Sequence, residues 1–297
     1  MASRILLTGI TSYPGRELAR RLLADGSEVH AVVRPGSTLE RIAGIGKPIL
    51  HTDDGAAESL VRILGAARPE VVFHLAGHYV REHGPGDIDR IVGDNILFGC
   101  RLLEAMRQTG ARRIVNTGSY FQFRNGTPRD AVNLYAAAKW AFADILDYYA
   151  GAAEVESTTL VLYDTYGPGD WRPRLMQAVR AAAKSGIPLP LTAADMPMNF
   201  VHIDDVGAAF IRAAELLAKK PESVRGRHFA VRPRAPSTIE DIVAAYERVN
   251  ACSIVRRWGA YPVPSRGSEN PWQGPTLPGW EPTVSLDEGL RRLGREG

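Results

Sequence analysis

Arg4-Ile5-Leu6-Leu7-Thr8-Gly9-Ile10-Thr11-Ser12-Tyr13-Pro14-Gly15 is the stretch that decides the fold. Residues 4–8 are a short apolar run, read as a strand. Residues 9–15 form a turn with the spacing Gly-x-x-x-x-x-Gly. Residues 16–24 then place Leu18, Ala19, Leu22 and Leu23 at helical spacing. Gly9 permits a tight turn, and Gly15 permits close packing of helix on strand. Free backbone N–H groups and the positive helix end then attract a pyrophosphate. Ser12 stands where a third glycine often sits, so its side chain must point away from the phosphates. On this reading Gly9, Thr11, Ser12, Tyr13 and Gly15 line a dinucleotide site.

The pattern continues outward from that stretch. Strands are expected at 28–33, 48–50, 70–75, 113–117 and 157–162. Helices are expected at 57–66, 91–108 and 134–150. Strands separated by helices make βαβ units, hence a parallel sheet covered on both faces. Right-handed crossovers fix the topology as doubly wound α/β. The second half is less regular. Residues 171–185 and 203–218 look helical. So do 237–249 and 285–293, each opened by a capping-box pattern, Ser237 with Glu240 and Ser285 with Glu288. Residues 261–282, rich in Pro, Gly and Trp, read as an ordered loop. The expected organisation is a dinucleotide-binding domain at 1–165 and a mainly substrate-binding lobe at 166–297, with chain crossings between them.

Composition excludes other classes. The chain has 297 residues, a formal net charge of +3, 45% hydrophobic and 23% charged residues. Such a chain folds without disulfides and is not disordered. No run of five like charges suggests a nucleic-acid surface. Two cysteines, Cys100 and Cys252, cannot build a disulfide framework. No apolar run reaches the length of a membrane span, and the first residues lack signal-peptide features. A cytoplasmic protein with reduced thiols is expected. His74, His78 and His83 lie close in sequence, but no carboxylate completes a set, so no metal is expected.

The end of the second strand selects the cofactor. An acid there would bind the ribose 2′-hydroxyl of NAD. The run is instead Ala31-Val32-Val33-Arg34-Pro35-Gly36-Ser37. Arg34 can pair with a 2′-phosphate, and Ser37 can add a hydroxyl, so NADP(H) is the expected cofactor.

Tyr135-Ala136-Ala137-Ala138-Lys139 carries the chemistry. Residues four apart share a helix face, so phenol and ammonium lie side by side. A neighbouring cation, together with an oxidised nicotinamide, is expected to stabilise the phenolate and lower the phenol's pKa. Tyr135 can then protonate a carbonyl oxygen while hydride reaches its carbon, and Lys139 can hold the nicotinamide ribose. The preceding strand ends Asn116-Thr117-Gly118-Ser119. A hydroxyl there faces the cofactor crevice; Ser119 is the first candidate to bind the substrate oxygen and Thr117 the second.

Together these residues resemble the extended short-chain dehydrogenase/reductase family, in its nucleotide-sugar branch. Further segments carry the resemblance: His74-Leu75-Ala76-Gly77, Asn95-Ile96-Leu97-Phe98-Gly99, Asp164-Thr165-Tyr166-Gly167-Pro168-Gly169, Asn199-Phe200-Val201-His202-Ile203-Asp204-Asp205-Val206, and Leu277-Pro278-Gly279-Trp280-Glu281-Pro282. The resemblance implies a Rossmann domain with a smaller mixed α/β lobe, and a homodimer. It implies that Asp53, Leu75, Ala76 and Gly77, with Asn95 and Thr117, adjoin the cofactor. Tyr163 and Thr165 are placed at its nicotinamide end. His78, Tyr79, Tyr120, Asp164, Arg172 and Trp272 are expected to face the substrate, a keto-sugar nucleotide or related ketone.

Two departures refine the expectation. Family dehydratases carry Asp-Glu after the catalytic hydroxyl residue, whereas Ser119 is followed by Tyr120 and Phe121. Met198 stands where many relatives carry an arginine that helps recognise substrate; Arg172, Arg174 and Arg180 are possible replacements or ordinary surface charges. The expected activity is NADPH-dependent reduction of a ketone, foremost C4 of a nucleotide-activated deoxy-ketosugar. Its rivals are a 4-epimerase with tightly held NAD, a reductase of a non-nucleotide natural product and a non-enzymatic cofactor sensor.

Overall fold

A computed structural model describes residues 3–262, 266–267 and 270–295. The first six strands of its main sheet are β1 (Arg4–Thr8), β2 (Glu28–Val33), β3 (Ile49–Thr52), β4 (Val71–His74), β5 (Arg113–Ser119) and β6 (Glu156–Leu162). Helices α1 (Tyr13–Ala24), α2 (Ser59–Ala67), α3 (Ile88–Val92), α4 (Phe98–Thr109) and α5 (Leu134–Ala152) connect them. The remaining elements are β7 (Asp164–Tyr166), α6 (Leu175–Ser185), β8 (Leu189–Pro190), β9 (Pro197–Met198), β10 (Phe200–His202), α7 (Ile203–Lys219), β11 (Arg227–Val231), β12 (Ser237–Thr238), α8 (Ile239–Asn250), β13 (Arg256–Arg257) and α9 (Leu286–Gly294).

The main sheet is seven-stranded and parallel, in the order β11-β6-β5-β4-β1-β2-β3. Alternate residues of each strand point to opposite faces. Ile5 and Leu7 therefore join one core with Leu18 and Leu22 of α1 and Phe210 of α7. Leu6 joins the other with Leu64 of α2, Met106 of α4 and Phe142 of α5. A third core gathers Val179, Ile242, Tyr246, Leu290 and Leu293 from α6, α8 and α9. This is the doubly wound α/β fold read from the sequence, with the smaller lobe beside it. The strand order reverses beside β1, and in such sheets ligands bind at that point, beyond the carboxyl ends of the strands. No helix among the described residues is long and apolar enough to cross a membrane.

Several elements depart from the sequence reading. The strand expected at 48–50 is Ile49–Thr52. The helix expected at 171–185 starts only at Leu175, because Pro173 disfavours helical backbone at Arg172. The helix at 237–249 is capped by Thr238, not Ser237. Asp241 N–H donates to Thr238 Oγ1 (3.1 Å), and Thr238 N–H donates to the Asp241 carboxylate (2.8 Å). Ser237 is instead paired with Met198 between β12 and β9. At the last helix Ser285 Oγ accepts Glu288 N–H (3.2 Å), but the Glu288 carboxylate pairs with Arg291 and Arg292. Residues 263–265 and 268–269 of the loop expected at 261–282 lie outside the described residues. The strand β11 was not anticipated; Arg227-His228-Phe229-Ala230-Val231 is a short segment between Gly226 and Arg232-Pro233.

The chain after β6 returns to the main sheet through α7 and β11. Its C-terminal segment is tied down by Asp205, whose buried carboxylate accepts from Thr283 N–H and Oγ1 (both 2.8 Å) and from Val284 N–H (3.1 Å). Trp280 Nε1 donates to the Asp205 carbonyl at 3.1 Å.

Candidate active site

The loop between β1 and α1 is closed by its own serine. Ser12 caps α1; its hydroxyl donates to the Gly9 carbonyl (2.8 Å) and accepts Gly15 N–H (3.1 Å). The side chain is thereby turned into the loop, as the sequence required. Gly9 has φ +78°, and a Cβ there would stand 2.6 Å from Ala76 N. A Cβ on Gly15 would stand 2.2 Å from the Gly9 carbonyl oxygen. Both approaches exclude any side chain. The first turn of α1 holds no acid, so the positive helix end is uncancelled. These features fit a dinucleotide's pyrophosphate. Thr11 lies in this loop, half-buried. The Tyr13 hydroxyl donates to the Pro168 carbonyl at 2.9 Å, so its side chain braces the segment after β7.

At the adjoining strand ends, Asp53 N–H donates to the Val33 carbonyl (2.8 Å), and its buried carboxylate accepts Gly55 N–H (3.2 Å). Ser37 Oγ accepts Arg34 N–H at 3.0 Å. The Arg34 guanidinium is exposed and donates to Asp94 at 2.7 Å. Leu75 and Ala76 follow β4, where Ala76 N–H donates to Thr8 Oγ1 at 3.2 Å. Thr8 Oγ1 is also 2.9 Å from His74 Nδ1. Burial pushes His74 down to about 3, so it is a neutral structural group.

A π-helical turn, Gly93–Leu97, interrupts the passage from α3 to α4; such turns are frequent at functional sites. It carries Asn95, whose amide donates to the His78 carbonyl (3.0 Å) and whose oxygen accepts His78 N–H (3.2 Å). Asn95 thus holds the loop after β4 in place. A Cβ on Gly77 would stand 2.7 Å from Asn95 Oδ1 and 3.3 Å from Lys139 Nζ, which brings Gly77, Asn95 and Lys139 together.

Asn133 caps α5 through Ala136 N–H (3.0 Å). Tyr135 is in the first turn and Lys139 one turn later. The Lys139 side chain is 3% exposed and makes no hydrogen bond or ion pair among the described residues; its ammonium sits 5.9 Å from the centre of the Tyr135 ring. Burial pulls Lys139 down to about 8. Burial also pushes Tyr135 up to about 12, opposed by the Arg174 cation rather than by Lys139. Within the protein alone desolvation outweighs any stabilisation of phenolate; the lowering expected from the sequence called for an oxidised nicotinamide as well as the cation.

β5 delivers the two hydroxyl candidates. Ser119 is buried; its Oγ accepts Phe121 N–H (3.3 Å), and its N–H donates to Gln122 Oε1 (2.8 Å). Thr117 Oγ1 is buried without a partner, which also fits a polar ligand in the crevice.

An aromatic ring packs against the phenol and leads to others. Tyr79 meets Tyr135 edge-on at 5.2 Å and lies over Phe121 at 6.1 Å. The Arg174 guanidinium stands 5.2 Å from the Tyr79 ring centre and 3.9 Å from Asp164. Tyr120 donates to Asp164 at 3.0 Å and stacks on Tyr163 at 5.0 Å. Burial pushes the Asp164 carboxyl up. Of the residues read as substrate-facing, Tyr79 packs on Tyr135, and Tyr120 and Asp164 join it through Phe121 and Arg174. His78 is held beside Asn95. Arg172 is engaged elsewhere, donating to both Asp170 oxygens (2.8 Å each) and to Thr165 Oγ1 (2.9 Å). Thr165 is likewise occupied by Arg172. Trp272 stacks on Phe123 at 4.0 Å and its carbonyl accepts the Tyr163 hydroxyl. Arg174, named in the sequence only as one of three possible charges, is the arginine at the phenol. Nothing in its spacing set it apart from Arg172.

The model of the NAD dependent epimerase/dehydratase family matches residues 5–231. CDP-abequose synthase of Yersinia pseudotuberculosis is 30% identical over 209 residues, which cover 70% of this chain and 72% of that protein. UDP-glucose 4-epimerase of Mycolicibacterium smegmatis is 26% identical over 235 residues, covering 71% and 72%. The crystal structure of the Thermus thermophilus UDP-glucose 4-epimerase complex with NAD superposes with a TM-score of 0.80 at 22% identity, covering 98% of this chain and 97% of that one. With its glycine loop, its Tyr135–Lys139 helix and this match over most of its length, the chain belongs to the NAD dependent epimerase/dehydratase family.

Proposed function

We propose that this protein is an NADPH-dependent ketoreductase that reduces the 4-keto group of a nucleotide-activated deoxysugar. The observation that carries the reading is the Lys139 ammonium, buried one helical turn from Tyr135 without a hydrogen-bond partner. An unpaired buried cation is costly, so the site is built for oxygens that the ligands bring. When bound, the nicotinamide supplies hydride to the carbonyl carbon. Tyr135 donates the proton to the carbonyl oxygen. With its pKa pushed up to about 12 by burial, the phenol holds that proton at neutral pH until the ligands are bound. Ser119 accepts Phe121 N–H and keeps its own O–H to orient the substrate oxygen. Lys139 holds the nicotinamide ribose hydroxyls. No carboxyl follows Ser119 directly, and Asp164 is engaged by Tyr120, which speaks against elimination of water. The nucleotide sugars in the names of two relatives support the substrate class.

The second reading is a 4-epimerase that retains NAD. It is favoured by Asp94, which covers the Arg34 guanidinium, and by the NAD in the similar Thermus thermophilus structure. The test is titration of purified protein with NADPH and NADH by nicotinamide fluorescence, with identification of any cofactor that co-purifies. Exchangeable NADPH and turnover of a 4-keto sugar nucleotide are expected. Tightly retained NAD would replace the reductase by the epimerase.

A further inference from the structure

The loop after β2 and the helical segment leading into α4 face each other across a shallow open cleft. It is lined by Arg34, Pro35, Gly36, Ser37 and Arg90. Asp94 lies between the two arginines. Arg34 Nη1 donates to both of its oxygens at 2.7 Å, and Arg90 Nε stands 3.6 Å from Oδ2. One carboxylate thus joins two guanidiniums from different elements. The arginine side chains are 56% and 60% exposed and that of Asp94 is 22% exposed.

Three features mark this as an anion site. Two arginines and one aspartate leave a net single positive charge. Ser37 accepts Arg34 N–H through Oγ, so its O–H remains to donate. The cleft also adjoins the dinucleotide groove: Asp94 precedes Asn95, whose amide holds the His78 backbone just after Gly77 in the loop after β4.

We propose that Arg34 and Arg90 are the two arms of a clamp for the phosphate monoester on the adenosine ribose of the cofactor, and that Asp94 is its internal stand-in anion. This rests on the NADPH reading above. Each guanidinium presents a planar fork of donors suited to phosphate oxygens. Without an anion between them the two cations repel; Asp94 holds them in place. A phosphate monoester carries about −1.5 to −2 at pH 7, against −1 for the carboxylate, so it displaces Asp94 from the arginines. The cost of that exchange is a weaker affinity than the two arginines alone would give. Asp94 therefore tunes how readily the cofactor leaves, and Arg90 is a specificity residue on the far side of the cleft from the β2 end.

The test uses ligand binding, not turnover. Adenosine 2′,5′-bisphosphate and adenosine 5′-monophosphate are titrated into wild-type protein and into the variants Arg34→Ala, Arg90→Ala and Asp94→Asn, followed by thermal shift and calorimetry. All three positions are partly exposed, and the unliganded melting temperature confirms folding. In wild-type protein the bisphosphate is expected to bind at least about tenfold more tightly, consistent with charge-assisted pairing. Arg90→Ala should remove most of that preference while leaving the monophosphate within twofold. Asp94→Asn should tighten the bisphosphate several-fold and leave the monophosphate unchanged. If Arg34→Ala abolishes the preference and Arg90→Ala keeps it, the clamp is overturned and the NADPH reading survives. If wild-type protein shows no preference, the clamp and the NADPH reading fail together. If Asp94→Asn weakens the bisphosphate, the stand-in role is overturned.

Discussion

Lys139 places its ammonium 5.9 Å from the centre of the Tyr135 ring, beside the backbone of Gly77, with no group among the described residues hydrogen-bonded to it. The two groups are displaced by burial in opposite senses, the phenol up to about 12 and the ammonium down to about 8. This keeps the phenol protonated while the ammonium approaches neutrality just above physiological pH. The value of kcat/KM, which reports the free enzyme, is therefore expected to fall as pH rises through about 8. Lys139→Arg should move that limb to higher pH. A profile flat to pH 9.5 in wild-type protein would remove Lys139 from the mechanism.

The same shift makes a stability prediction of defined sign. Lys139 has a folded-state value near 8 against 10.5 for the free side chain. Between those values the unfolded chain binds more protons than the folded one, so this group destabilises the fold below about pH 8 and the penalty fades toward 10.5. Lys139→Met should raise stability at pH 7 by on the order of 3 kcal/mol, with the gain vanishing by about pH 10.5. Urea denaturation across that range measures it.

Tyr135→Phe removes the proton donor and leaves the ring packed against Tyr79. Turnover should fall by about 10²–10⁴-fold, the usual share of general acid catalysis. Cofactor binding should stay within a few-fold. Unchanged turnover would reassign the proton to another group.

Gly15→Ala tests the loop. Its Cβ would meet the Gly9 carbonyl oxygen at 2.2 Å, so the loop backbone must shift. A loss of about 1–3 kcal/mol is expected, as for overpacked sites. Dinucleotide affinity should drop with it, since the displaced carbonyl sits in the phosphate loop. An equilibrium denaturation curve and a cofactor titration read both effects.

Asp205→Ala separates the C-terminal segment from α7. It leaves Thr283 N–H, Thr283 Oγ1 and Val284 N–H without their acceptor. Thr283 is exposed and Val284 half-buried, so water replaces part of the lost acceptor and a total loss of about 1–3 kcal/mol is expected. Faster proteolysis after residue 270 should accompany it.

Local signals account for what was legible in the sequence. The β1–α1 loop is encoded by neighbours: Gly9, Ser12 and Gly15 bond to one another within seven residues. The Tyr135–Lys139 pair is likewise one helical turn. The illegible parts depend on distant partners. Asp94 reaches Arg34 over sixty positions, so the end of β2 looked free of acid when read along the chain. Arg172 and Arg174 are two residues apart and chemically identical, yet Asp170 and Thr165 claim the first, and the second meets Tyr79 and Asp164. Thr238 replaces Ser237 as a cap because the short strand β12, paired with the distant β9, runs through Thr238 and the helix starts only at Ile239. The burial that raises Tyr135 within the protein alone was also illegible, because a helix wheel shows the adjacent cation but not the depth of burial.

β11 supplies the last strand of the main sheet, after the chain has already left it to build much of the small lobe. Its partner β6 is separated from it by 69 residues at the Thr158–Arg227 pairing. Closing so long a loop is entropically slow. On a ribosome the strands β1 to β6 emerge with the edge of β6 bare, and they stay so until residue 231 has been made. A fragment ending near residue 165 would keep that bare edge permanently and should aggregate through it. The nucleotide loop and the catalytic helix thus belong to a domain that is finished only when the substrate lobe is well under way, so a half-made chain has no completed sheet on which to offer its site.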